Sequence, residues 1–229
     1  MTHNTENMPL SAVNGAIFDF DGTLFDSMFI WKNVGELYLS SLGMEPEEGL
    51  GEKLKSYTLE ECAVYFRDAY GVNFTTAEIM QSINDIVEDY YMNKVLPKDG
   101  IREFLEELKN LGVKMCVATV TDKYLVKAVL EKHGLCGYFS KIFTCAEVGH
   151  GKTEPIIYRE AMKHLGTTKE NTIVFEDSFF AASTAKADGF IIAGVYDRHE
   201  RNQEGLKDIS DLFMTDFEHT DEFFSFTGV

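Results

Sequence analysis

The chain has 229 residues, enough for a sizeable core and for one large domain or one domain carrying an insertion. Its 38 acidic against 21 basic side chains give a formal net charge of −17, so nucleic acid and anionic membranes are repelled over most of the surface and the expected partners are small molecules. No window reaches the roughly 18 apolar residues of a membrane helix; with residues 1–9 polar and Cys62, Cys116, Cys136 and Cys145 irregularly spaced, reduced thiols, a cytoplasmic location and a monomer are expected.

Val13 to Phe18 is an apolar run broken only by Asn14 and Gly15, and it reads as a short buried strand ending on Asp19 and Asp21 with Gly22 behind. Side chains two apart on an extended backbone point the same way, so both acids can face one volume at the strand's carboxyl end, where open α/β sheets bind ligands. Two carboxylates that close repel, and the pair reads as a divalent-metal site or as a dyad sharing a proton.

Beyond Ser27 the periodicity changes to helical: Ile30, Val34, Leu37, Tyr38 and Leu42, then Leu59, Cys62, Ala63 and Phe66, then Ile79, Ile83, Ile86, Val87 and Tyr90. This block predicts a helical cap over residues 29–96, inserted into a core of 1–28 and 97–229; the alternative is that these helices belong to a single α/β core.

From Lys98 onward helix and strand alternate. A helix over Ile101 to Leu111 stops at Gly112, and Val113 to Ala118 follows as a strand with Thr119 and Thr121 at its end. Next come a helix from Asp122 to His133, a short apolar piece at Ile142 and Phe143, a loop from Glu147 to Thr153, and a helix after Pro155, which suits a first helical turn. Thr172 to Phe175 predicts a strand ending in Glu176 and Asp177, Phe190 to Val195 another, and Leu212 to Met214 a short last one. Such alternation implies a parallel sheet with right-handed crossovers, a doubly wound α/β fold.

Asp19 with Asp21, Thr119, Lys152, and Glu176 with Asp177 each stand just after an apolar strand or on a loop between elements, and strand carboxyl ends converge on one edge of such a sheet. Their types suit phosphoryl transfer. One carboxylate can attack phosphorus, a second can move a proton, a hydroxyl and a lysine can hold the phosphoryl oxygens, and distal acids can complete an oxygen-ligand magnesium site. Taken singly, each has an ordinary reading: Thr119 as a cap for the helix that follows, a task Thr121 or Asp122 could equally serve, and Lys152 as a solvated loop residue. Gly151-Lys152-Thr153 is not a P-loop, because Ala146 stands where that motif needs its first glycine. None of the six histidines is paired at metal-ligand spacing, and Trp31 and the phenylalanines read as core.

I-F-D-F-D-G-T-L-F-D-S over residues 17–27 resembles the first motif of the haloacid dehalogenase superfamily, V-A-T-V-T its second, Lys152 in G-K-T-E-P its third and V-F-E-D-S its fourth, in order across nearly the whole chain. The position of the helical block is similar to that in the β-phosphoglucomutase-like branch, which implies a sheet in order 5-4-1-2-3. That resemblance implies Asp19 as the nucleophile forming an aspartyl-phosphate, Asp21 as general acid and then base, and Thr119, Val120 and Lys152 as phosphate holders. It further implies Mg²⁺ held by Asp19, the carbonyl of Asp21 and Asp177, with Glu176 helping directly or through water.

Departures from the pattern sharpen the expectation. The presence of Asp21 speaks against C–Cl cleavage, since dehalogenases of the superfamily lack the second acid; Phe180 and Ala181 stand where relatives usually carry glycine. Alignment to the mutases puts Leu59 at the position of their phosphate-binding cap arginine and Trp31 at that of their gating histidine, leaving Lys53 or Lys55 as substitutes. The expectation is therefore a Mg²⁺-dependent phosphatase of a small phosphorylated metabolite, plausibly a sugar phosphate, with a phosphomutase as the alternative. Retention of all four polar motifs argues against a non-catalytic metabolite-binding protein.

Overall fold

The structure is a computed structural model that describes residues 13–54 and 57–228. It forms two compact units. One consists of the amino-terminal segment through Asp26 together with Leu96–Val229, and the other is Ser27–Val95.

Among the described residues, the first unit is built on eight strands: β1 (Gly15–Phe18), β2 (Phe25–Asp26), β3 (Leu96–Pro97), β4 (Lys114–Thr119), β5 (Ile142–Thr144), β6 (Thr172–Glu176), β7 (Ile191–Val195) and β8 (Leu212–Met214). Six of them form one sheet in the order β5-β4-β1-β6-β7-β8, every pairing parallel. All four residues of β1 are buried, as are those of β6 and β7, which is why these strands read as continuous apolar runs rather than alternating ones. The order is the implied 5-4-1-2-3 read from the opposite edge, with β8 added outside. The chain winds outward from β1 through β4 to β5, then returns to β6 on the other side of β1. That reversal opens a crevice at the carboxyl end of β1.

Register places Phe18 level with Val117 and Phe175. The Phe18 and Phe175 rings stack with centroids 4.2 Å apart, and Phe104 of the helix Ile101–Asn110 meets both edge-on. On the opposite face Ile17, Cys116, Val174 and Ile192 pack with Ile157, Tyr158 and Ala161 of the helix Ile156–Leu165. A rigid sheet thus fixes where β1, β4 and β6 end.

Several elements differ from expectation. The predicted strand Val113 to Ala118 runs one residue later, and part of the predicted loop is a helical turn, Cys145–Val148, whose first turn Thr144 caps by accepting the Glu147 N–H at 3.2 Å. Pro155 stands at the N-cap rather than in the first turn. The acidic carboxyl-terminal stretch contributes helices Gln203–Ile209 and Asp221–Thr227, the latter anchored by Phe223, whose ring lies 4.9 Å from Phe104. Tertiary packing of a few phenylalanines outweighs the polarity of the segment.

The second unit contains helices Met28–Ser41, Leu50–Leu54, Leu59–Tyr70 and Thr76–Asn93. Capping boxes start two of them, Thr58 with Glu61 and Thr75 with Glu78, each satisfying two backbone donors. Tyr38, Leu50, Phe66, Ile79 and Ile83 make its core. Gly35 lets two helices approach, since a Cβ there would lie 2.9 Å from Leu54 Cδ1. Leu59 packs against this core, whereas Trp31 is not a core residue: it is 47% exposed and donates from Nε1 to the Tyr91 hydroxyl at 3.1 Å. Lys53 pairs with Glu47 at 2.8 Å and donates to the Tyr65 hydroxyl at 2.6 Å, while Lys55 lies outside the described residues.

Candidate active site

β1 ends where its apolar run meets Asp19, whose N–H still bonds to the Phe175 carbonyl at 3.0 Å and so extends the ladder one residue into the crevice. The chain then turns back. Leu24 and Phe25 both donate to the Phe20 carbonyl and Gly22 donates to the Phe25 carbonyl at 2.8 Å, a loop that requires φ of 75° at Gly22, where a side chain would be strained. This turn is the physical reason for glycine behind the second acid.

Asp19, Asp21, Thr119, Lys152, Glu176 and Asp177 are all buried. Lys152, on the loop before the helix Ile156–Leu165, places Nζ 2.6 Å from Asp19 Oδ1 and 2.6 Å from Glu176 Oε1. Both contacts are ion pairs, and the one with Glu176 is also a hydrogen bond. Thr121 donates from Oγ1 to Asp21 Oδ2 at 2.5 Å, and its own N–H donates to Thr119 Oγ1 at 3.0 Å. The Thr119 hydroxyl therefore accepts within the turn and keeps its proton for another acceptor. Asp122 is the N-cap residue of the helix Lys123–Lys132 but makes no side-chain capping bond. Val120, between the two threonines, is 60% exposed. Thr23 Oγ1 lies 3.4 Å from Asp177 Oδ1.

The electrostatics follow from burial. Desolvation, reinforced by the charge of Glu176 and opposed by Lys152, pushes the Asp19 carboxyl up to about 7. Burial does the same to Asp177, with Asp19, Glu176 and Asp197 adding repulsion. Burial opposes the charge on Lys152 as well, but Asp19 and Glu176 beside it overcome that and hold the ammonium above its ordinary pKa.

The donor set suits a hard divalent cation. Among the described residues, Asp19, Glu176 and Asp177 each offer a carboxylate oxygen, the three within 4.8 Å of one another, and Glu176 Oε2 is buried without a hydrogen-bond partner. Three acids around one ammonium leave an excess of negative charge that a bound cation would offset. All the ligands are oxygen, with no thiolate or imidazole, which points to magnesium-like ions rather than zinc.

Two participants were not singled out by sequence reasoning. Tyr158 is fully buried and donates from its hydroxyl to Glu176 Oε1 at 2.6 Å. The available signal was a tyrosine on an apolar helix face, whose hydroxyl must find a partner when buried. Thr121 was read as a candidate cap, yet it lies two residues past Thr119 at a strand end and so could have been placed on the same side.

A parallel doubly wound sheet with a buried lysine and clustered carboxylates at its switch point is an α/β fold with a site suited to phosphoryl chemistry. The chain belongs to the haloacid dehalogenase-like hydrolase family, whose pattern matches residues 16–195. It is similar to the phosphorylated carbohydrates phosphatase of Thermotoga maritima, at 24% identity over 77% of this chain and 82% of that one. It is also similar to the phosphoglycolate phosphatase of Neisseria meningitidis, at 27% identity over 82% of this chain and 83% of that one. Among solved structures, a β-phosphoglucomutase-like protein from Thermotoga maritima shares the fold with a TM-score of 0.81 at 22% identity, covering 93% of this chain and 98% of that one. No helix among the described residues is long and apolar enough to cross a membrane.

Proposed function

We propose that this protein is a Mg²⁺-dependent phosphatase of a small phosphorylated metabolite, such as a sugar phosphate, working through an aspartyl-phosphate on Asp19. The observation that carries the reading is the Lys152 ammonium 2.6 Å from Asp19 inside a buried carboxylate cluster, an arrangement that can neutralise a phosphoryl group as it reaches a carboxylate. A carboxylate oxygen of Asp19 attacks phosphorus. The bond to the ester oxygen breaks, and Asp21, oriented by Thr121, gives that oxygen its proton. Asp21 then takes a proton from the water that hydrolyses the acyl-phosphate, returning Asp19 to its starting state. Lys152, the Thr119 hydroxyl and the backbone at Val120 hold the phosphoryl oxygens. Asp19, Asp177, Glu176 and the Asp21 carbonyl would hold Mg²⁺, which supplies charge neutralisation when bound.

The helical unit interrupts the α/β unit in sequence, and we read residues 29–96 as the cap of this fold. The likeness to a phosphorylated carbohydrates phosphatase supports a sugar phosphate as substrate. A phosphomutase must retain a bisphosphate, and here Leu59 carries no charge and packs against the helical core, while Lys53 is engaged by Glu47 and Tyr65. Incubation with β-glucose 1-phosphate and a trace of glucose 1,6-bisphosphate, following both glucose 6-phosphate and free phosphate, tests the reading. Phosphate release without stimulation by the bisphosphate is expected; rapid isomerisation without phosphate release would replace it with the mutase.

A further inference from the structure

The two carboxylate oxygens of Glu176 stand in different environments. Oε1 accepts from Lys152 Nζ at 2.6 Å and from the Tyr158 hydroxyl at 2.6 Å, whereas Oε2 is buried with no hydrogen-bond partner among the described residues. Glu176 itself is fully buried, so no solvent meets that second oxygen. A dry, unpaired carboxylate oxygen is costly, and Glu176 has the acids Asp19 and Asp177 beside it, one carboxylate oxygen of each of the three lying within 4.8 Å of the others.

Lys152 alone is a poor orienting group for Glu176. It is shared with Asp19, and an ammonium is a point charge that accepts many directions. The terminal torsion of a glutamate is soft and roughly two-fold, so a single donor leaves the carboxylate free to exchange its oxygens. Tyr158 removes that freedom. Its ring is held in the apolar core beside Ile17, Val174 and Phe190, with the Phe190 centroid 6.2 Å away.

We propose that Tyr158 is a positioning residue for the cation site: its hydroxyl joins Lys152 on Glu176 Oε1 and thereby reserves Oε2 as a single, monodentate ligand to the divalent cation. This rests on the metal reading above and extends it to one oxygen and to the residue that selects it. A monodentate carboxylate suits the octahedral demands of Mg²⁺, while a glutamate released to swing can chelate with both oxygens, which Ca²⁺ accepts.

The test is calorimetric titration of the full chain with Mg²⁺ and with Ca²⁺, for the unaltered protein and Tyr158→Phe, with thermal unfolding of both in EDTA. Phenylalanine keeps the ring volume in an apolar pocket, so the variant is expected to fold. The expected result is a loss of about ten- to a hundredfold in Mg²⁺ affinity, the usual effect of removing a partner that orients a ligand, with a smaller loss for Ca²⁺. Unchanged Mg²⁺ affinity would overturn the inference. So would equal losses for both cations with a lowered metal-free midpoint, which is what general loosening produces. If the unaltered protein binds no Mg²⁺, the metal reading itself falls and takes this inference with it.

Discussion

The Thr121 hydroxyl donates to Asp21 Oδ2 at 2.5 Å, joining residues 100 positions apart in sequence inside the buried crevice. The bond fixes one oxygen of the proposed acid and base. Thr121→Val keeps the shape and removes the donor, so kcat should fall about tenfold, the lower end for a hydrogen bond to a charged group. Steady-state assays with p-nitrophenyl phosphate check this; an unchanged kcat would separate Thr121 from the chemistry.

Asp19 and Asp21 should respond differently to the same substitution. Asp19→Asn removes the nucleophile, and turnover should vanish. Asp21→Asn removes proton transfer, worth roughly 10² to 10⁴ in rate, and should let phosphoenzyme accumulate. Acid-quenched labelling with a ³²P substrate distinguishes the two, and substantial residual turnover in Asp19→Asn would dismiss the covalent route.

Chelation should abolish activity and Mg²⁺ restore it, with excess Ca²⁺ inhibiting because it prefers more ligands and looser geometry. Asp177→Ala should raise the Mg²⁺ concentration needed for half-maximal rate. A metal titration of the rate settles both points, and full activity in exhaustively chelated enzyme would contradict them.

Away from the site, Arg159 and Lys169 converge on Asp188, with Arg159 Nε 2.9 Å from Oδ2 and Lys169 Nζ 2.9 Å from the same oxygen. The hydrogen bonds from Arg159, with Lys169 adding to them, lower the Asp188 pKa from 3.8 to about 2. A depressed folded-state pKa gives stability that is present above the unfolded value near 3.8 and lost as pH falls through about 2. Arg159 is 54% exposed and screened by solvent, so the cluster should contribute only about 1 kcal/mol. Urea unfolding should show Asp188→Asn less stable than the unaltered chain by that amount near neutral pH. The gap should close towards about pH 2; a gap independent of pH would discount the ion pairs.

The fold class was legible in the chain itself because it depends on local pattern, whereas the candidate site residues stood out through the four motifs that resemble the family's. Apolar runs at strand length announced β1, β4, β6 and β7, and the polar residue that ends each run marks the edge where a parallel sheet presents its ligands. Tertiary structure alone decided which oxygen meets which donor. Thr121 reaching Asp21, Tyr158 reaching Glu176, and Lys152 standing between Asp19 and Glu176 are contacts across long sequence separations. They exist because the sheet brings separate strand ends into one dry volume, where a polar atom left without a partner is costly. Trp31 shows the converse: its apolar bulk suggested core, but exposure depends on what packs over it, a property no single residue carries.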